Sequence, residues 1–291
     1  MEVSFFSWIA LVGALVIMGA ADFFLLSRRG ETVSLRRAGV WTAVWTVIGL
    51  GFTPIVWVGG GGAPAAEYFA GYLIERSLSI DNLFVFALIF GYFSIPAYRQ
   101  DRLLMWGIAG ALVLRAMFIV AGAAALHTFH WTIYVFGALL IYAAIHMARQ
   151  DEVSVHPERN PLVRMAGGNP AAAALAAIMT ADVVFAVDSI PAIFAITTDT
   201  FIVFAANAFS LLGMRPLYFL LADALGRFGY LKYGLAAVLG FVGVKMLLSE
   251  LVDIPIWLSL VIILVLLGTS VGASMHEARR SGRRPAKGAA R

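Results

Sequence analysis

The stretch Glu75-Arg76-Ser77-Leu78-Ser79-Ile80-Asp81-Asn82 lies inside an apolar run, residues 68–93. A second stretch, Asp182-Val183-Val184-Phe185-Ala186-Val187-Asp188-Ser189-Ile190-Pro191, lies inside the apolar run 171–197. Each places two acids six residues apart in a segment otherwise fit for a bilayer. One acid at the centre of a membrane costs about 2.5–3.5 kcal/mol on insertion scales. Four of them in two such segments point to a functional site, because an intramembrane ionisable group is rarely kept without a use.

Composition supports the membrane setting. The chain has 291 residues, 61% hydrophobic and 13% charged, where a soluble domain is about half apolar and a quarter charged. It reads as an all-α polytopic membrane protein, since helices satisfy their own backbone in lipid. It has no cysteine, which removes disulfides and thiolate metal sites and leaves oxygen and imidazole ligands. No basic segment precedes the first apolar run, so that run reads as a retained helix rather than a signal peptide.

A span needs roughly 20 apolar residues. Nine runs qualify: 5–26, 39–58, 68–93, 103–125, 131–148, 171–197, 202–224, 233–249 and 255–275. Of the 21 Lys and Arg, 17 fall in alternate connections and in the tail, and the intervening connections hold none. By the positive-inside rule the N-terminus is outside and the C-terminus is cytoplasmic. The same rule accounts for the basic balance without nucleic acid. The tail, 276–291, reads as disordered, cytoplasmic and basic.

The four remaining cations are Arg76, Arg115, Arg215 and Lys245, all within spans. Asp81-Asn82 aligns with Asp188-Ser189, Arg115 with Arg215, and His146 with Lys245, at offsets of 107, 100 and 99 residues. Spans 3–5 therefore repeat as spans 6–8, in opposite orientation. Many secondary transporters are built this way, with the site at the repeat interface. The expected organisation is two accessory helices (1–66), a first three-helix repeat (67–148), a cytoplasmic connection (149–170), an inverted second repeat (171–250) and a ninth helix (251–275) before the tail.

Six residues of straight helix rise about 9 Å and turn about 120°, so the two acids of one motif do not share a face. A break in each helix would bring them together, and Pro191 is the candidate breaker, lacking an N–H and crowding the Val187 carbonyl. Freed carbonyls, carboxylates and the neighbouring Asn82, Ser77, Ser79 and Ser189 make a hard oxygen site suited to Mg, Ca or Mn. Glu75, Asp81, Asp182 and Asp188 oppose Arg76, Arg115, Arg215 and Lys245, four charges against four. An arriving divalent cation would displace internal ion pairs or release protons, coupling its movement to protonation or to alternating access. The plainer reading is that the charges lock helix packing. Asp22 serves either as a ligand or as a cap and partner of Arg28, and Asn207 reads as an interhelical hydrogen bond. Two membrane aspartates also suggest an intramembrane protease. Val187 and Ala181 stand before Asp188 and Asp182, where that chemistry expects Gly, so no enzyme is expected.

Several stretches carry a resemblance. Gly71 to Phe86, with Glu75-Arg76-Ser77 and Asp81-Asn82, resembles the signature of the TerC family of integral membrane proteins. Asp182 to Ala195, Leu211-Leu212-Gly213-Met214-Arg215-Pro216-Leu217-Tyr218-Phe219 and Gly243-Val244-Lys245-Met246 resemble it as well. The likeness is strongest from 67 to 250. Two departures are the short connection 149–170 and the pair Met179 and Ala181, where many relatives carry an acid and a hydroxyl. The resemblance implies a transporter of the broader LysE-like group and, among bacterial members, a manganese exporter of the inner membrane. It implies a metal path through Glu75, Asp81, Asn82, Asp182 and Asp188, with Asp22 less directly placed. The expectation is export of Mn2+ with no prosthetic group. The expected partners are the ion and the bilayer, with a homo-oligomer left open. The alternative is a non-transport scaffold in tellurite or stress resistance or in membrane-protein biogenesis.

Overall fold

The computed structural model describes residues 4–26, 34–129, 131–149, 160–221, 231–249, 251–252 and 254–281. These form helices and no strand. In chain order they are α1 (Phe5–Leu26), α2 (Leu35–Gly60), α3 (Gly62–Tyr92), α4 (Ala97–Thr128), α5 (Thr132–Arg149), α6 (Pro161–Met165), α7 (Pro170–Phe194), α8 (Thr200–Leu211), α9 (Met214–Leu221), α10 (Leu231–Leu247) and α11 (Ile256–Ser281). Local sequence sets several starts. Asn169 caps α7, accepting from Ala171 N at 3.0 Å with Pro170 in the first turn. Asp199 caps α8, accepting from Phe201 N at 3.0 Å. Both satisfy amides that a helix start leaves open.

Among the described residues seven segments are long and apolar enough to cross a membrane, with α8 and α9 counted as one, Thr200–Leu220. The other two expected spans fall on α3 and α10. α3 has 31 residues but carries Glu67, Glu75, Arg76 and Asp81. α10 has 17 residues, about 25 Å at the helical rise, slightly under the ~30 Å hydrocarbon core. The connection 149–170 contains the short helix α6, and its residues 150–159 lie outside the described set. The tail is a correction: α11 runs on to Ser281 rather than ending before 276, and 282–291 lie outside the described residues.

α8 and α9 are the central element. Their span is 83% buried, against 17% for Phe5–Asp22 and for Ile256–Glu277 at the periphery. α3 packs on α2, α7 and α8, and α4 packs on α7 and α8. α5 lies along α10, where backbones approach: a Cβ on Gly137 would stand 3.2 Å from the Gly243 carbonyl oxygen, and one on Gly243 3.0 Å from that of Gly137. Close approach at small residues is how helices gain packing where lipid supplies no hydrophobic drive.

The expected breaks in the acidic helices do not occur. α3 and α7 run unbroken through Asp81 and Asp188. Pro191 lies in the last turn of α7, where one missing hydrogen bond is tolerated close to the helix end. The break falls in span 7 instead. Leu212 is extended, with ψ 125°, and Gly213 takes φ +88° before α9 begins at Met214. A Cβ on Gly213 would stand 2.6 Å from that of Trp45. Gly213→Ala therefore combines a left-handed backbone with a core clash, and should lower stability by roughly 2 kcal/mol or more. Thermal unfolding in detergent checks this, against Gly268→Ala, where no neighbour stands within 4 Å and little change is expected.

Candidate functional site

The centre of the protein is organised by Arg115, a fully buried guanidinium in the middle of α4. Nη1 donates to Glu75 Oε1 and to Ser189 Oγ, the latter at 3.4 Å. Nη2 donates to Asp182 Oδ1 at 3.1 Å, and Nε to the same carboxylate at 3.2 and 3.4 Å. With the Asn82 amide turned as its surroundings require, its oxygen accepts from Nη2 at 3.3 Å and its nitrogen donates to the Leu78 carbonyl at 3.1 Å. Glu75, Asp182, Ser189 and Asn82 are all nearly or fully buried.

Helix registers explain this grouping. A Cβ on Gly71 of α3 would touch Ile193 of α7 at 3.3 Å, and Arg115 joins Glu75 to Ser189 and Asp182 to Asn82. The two helices thus run antiparallel and carry two levels of polar groups, separated by about 10 Å of helix rise. One level holds Glu75 with Asp188-Ser189. The other holds Asp182 with Asp81-Asn82. Arg115 lies between them, with Nη1 on the first level and Nη2 and Nε on the second. Each level joins the leading acid of one motif to the trailing pair of the other. Asp188 is half-buried and close enough to Arg115 to feel its charge. The Asp81 side chain lies outside the described residues, though its backbone belongs to α3.

Arg215 organises a second cluster beside the broken helix. It donates through Nε and Nη2 to both oxygens of Asp101, and through Nη1 to the Asp22 carbonyl at 3.1 Å and carboxylate at 3.3 Å. Trp45 Nε1 donates to the other Asp22 oxygen at 2.8 Å. Both oxygens of Asp22 are thus engaged inside the protein. The alternative partner, Arg28, lies outside the described residues. Arg76 donates to the Ser210 carbonyl at 2.9 Å and to Thr46 Oγ1 at 3.4 Å. It caps the carbonyl end of α8 at the break, where a cation is favoured. Ser79 Oγ meets Ser210 Oγ at 3.3 Å.

Among the described residues Arg215 binds Asp101 and Asp22, Arg76 binds the Ser210 carbonyl, and Arg115 lies between two carboxylates. Lys245 lines a cavity of about 530 Å3 at the far end of the fold from Arg215, with Glu67, Thr197, Thr198, Asp199 and Ser249. Asn207 is a correction. It is buried, yet neither its oxygen nor its nitrogen has a partner among the described residues. Glu75 Oε2 is also without one. Among the described residues no three His, Cys, Asp or Glu side chains gather as a metal-holding set.

Asp101 and Glu67 were missed from sequence. Asp101 sits in Arg99-Gln100-Asp101-Arg102, which reads as a solvated basic connection. The usable signal was an acid at the start of a long span, opposite in charge to the arginine within a later span.

Fold and site together define a polytopic α-helical membrane protein with a buried charge cluster at its centre. The profile described as the integral membrane protein TerC family matches residues 61–282, and the chain belongs to that family. It is 41% identical to an uncharacterized membrane protein of Myxococcus xanthus, over 94% of this chain and 93% of the relative. It is 39% identical to the Escherichia coli K12 protein named "Putative membrane-bound redox modulator Alx", over 87% and 89% respectively. An uncharacterized membrane protein of Mycobacterium tuberculosis is 38% identical over 84% of this chain and 68% of its own length. No solved structure matches the chain.

Removing Arg115 strands buried carboxylates. Arg115→Met should destabilise by about 3–5 kcal/mol. Adding Glu75→Gln and Asp182→Asn should recover most of that loss. The check is denaturation of wild type, the single variant and the triple variant in one detergent; a full loss that the neutral partners do not relieve contradicts the ion pairing.

Proposed function

We propose that this protein moves a divalent metal cation, Mn2+ in the first instance, out of the cell across the bacterial inner membrane. The observation that carries the reading is the formal charge at the centre: two buried carboxylates, Glu75 and Asp182, face one guanidinium. A charge lock built only for stability balances its charges, because a surplus buried ion is costly. Here Asp188 adds a further acid beside the cluster. The excess is negative, and its donors are hard oxygens, the set that suits Mg, Ca and Mn. With no cysteine, the chain exchanges no thiols of its own. A redox effect of the kind named for the relative fits metal movement without one.

The inverted repeat is supported by the way contacts map. Exchange spans 3–5 with 6–8, and the packing of α3 on α8 becomes that of α4 on α7, while the α5–α10 and α3–α7 pairs map onto themselves. Arg115 receives the equivalent pairs Glu75 with Ser189 and Asp182 with Asn82. In the nine-span orientation set by the Lys and Arg pattern, the cavity beside Lys245 opens outward and the Arg215–Asp101–Asp22 cluster closes the cytoplasmic end. The conformation is then outward-facing. Export by alternating access needs Arg215 to release Asp101 in the other state.

Manganese uptake into inverted vesicles tests the proposal, with expression of each form matched. Wild type should accumulate Mn2+, and Asp188→Asn should lose nearly all uptake while staying folded. Wild-type vesicles that take up no divalent ion, or an Asp188→Asn form that keeps full uptake, would overturn the transport reading in favour of a scaffold.

A further inference from the structure

Asn207 lies on α8, the most buried span, and both its polar atoms lack partners among the described residues. Buried amides almost always find hydrogen bonds, and one left open is a cost that needs a cause. Its position suggests the cause. Val203, one turn before Asn207, packs in the core formed with Ile74 of α3, Ile119 of α4 and Ile193 of α7. Residues 203, 207 and 210 form one stripe of α8, so Asn207 faces the same centre.

Its level follows from two anchors. A Cβ on Gly71 would meet Ala206 at 3.3 Å, and Ser79 meets Ser210. Glu75 on α3 and Asn207 on α8 both fall between these anchors. Along α4, Ile119 stands one turn from Arg115, as Val203 stands one turn from Asn207. Asn207 therefore occupies the level of Glu75, Asp188 and Ser189. Glu75 Oε2, also unpartnered among the described residues, belongs to the same level.

We infer that Asn207 is a metal-binding residue. Its amide oxygen joins Glu75 Oε2 and the Asp188 carboxylate to hold the divalent cation on the level nearer the cavity. This rests on the transport reading and deepens it by choosing one of the two levels and adding a neutral ligand. A third oxygen is needed, because no three acids or histidines gather among the described residues. Hard divalent cations accept amide oxygens alongside carboxylates. Two carboxylates and an amide neutralise a divalent ion without over-binding it. Arg115 keeps Asp182 and Asn82 on the other level while the cation takes Glu75.

The test uses the purified full chain in detergent and Mn2+ alone as the probe. Affinity is read by calorimetry or by loss of the free-ion paramagnetic resonance signal, and stability by thermal unfolding without metal. Asn207→Leu should weaken Mn2+ binding about tenfold or more. Its metal-free unfolding temperature should equal or exceed that of wild type, because two unpartnered groups have gone. Asn207→Asp keeps an oxygen and should bind Mn2+ at least as tightly as wild type. Wild-type affinity in Asn207→Leu overturns the inference and leaves the transport reading standing. So does weak binding in both variants with a lowered metal-free unfolding temperature, which marks the amide as structural. A wild-type protein that binds no Mn2+ overturns the transport reading and this inference together.

Discussion

The fold depends on a guanidinium shut off from solvent by its neighbours. Arg115 is fully buried, and a desolvated guanidinium is tolerated only when its planar fork of donors is matched. Glu75, Asp182, Ser189 and Asn82 supply that match from α3 and α7. The demand reaches into the packing. Flanking Arg115 along α4 are Gly107 and Gly122, where a Cβ would stand 2.8 Å from Ile178 and 2.9 Å from Phe194 of α7. Small residues at both points let α4 approach α7 closely enough for one side chain to reach both polar levels. The continuity of α3 and α7 through both motifs serves the same end, since a break at either motif would separate the levels from the donors between them.

A second arginine shows what the same residue type does when its helix is broken. Arg215 follows Gly213 by two residues and binds Asp101 and Asp22. Four elements, α1, α2, α4 and α9, are tied together there through Arg215, Asp22, Asp101 and Trp45. The opposite end holds the open cavity.

Much of this was legible in the sequence. Two acid pairs in apolar runs marked residues that gather at Arg115, and the apolar runs themselves marked an all-helical chain. Glu75, Asn82, Asp182 and Ser189, all singled out in the two motifs, are the groups that meet Arg115. What was hidden depends on rotation about helix axes and on one backbone torsion. Position 213 reads as a small residue in an apolar helix; only its φ of +88° reveals the break. The break sets Arg215 beside Asp101 and Asp22 and gives Arg76 a helix end to cap. Asp101 was concealed by the basic residues beside it. Asn207 was read by the ordinary rule that buried amides find partners, and its departure from that rule is a property of packing that no sequence pattern encodes.

The central claim is that the buried acids hold a cation at the level of Glu75 and Asp188. Anomalous X-ray diffraction from crystals of the full chain grown with Mn2+ tests it most directly. The account places a manganese peak between α3, α7 and α8, within bonding distance of Glu75 and Asp188, with Arg115 still on Asp182. Saturating manganese with no peak in that region, and with Arg115 still bridging Glu75 and Asp182, would contradict it.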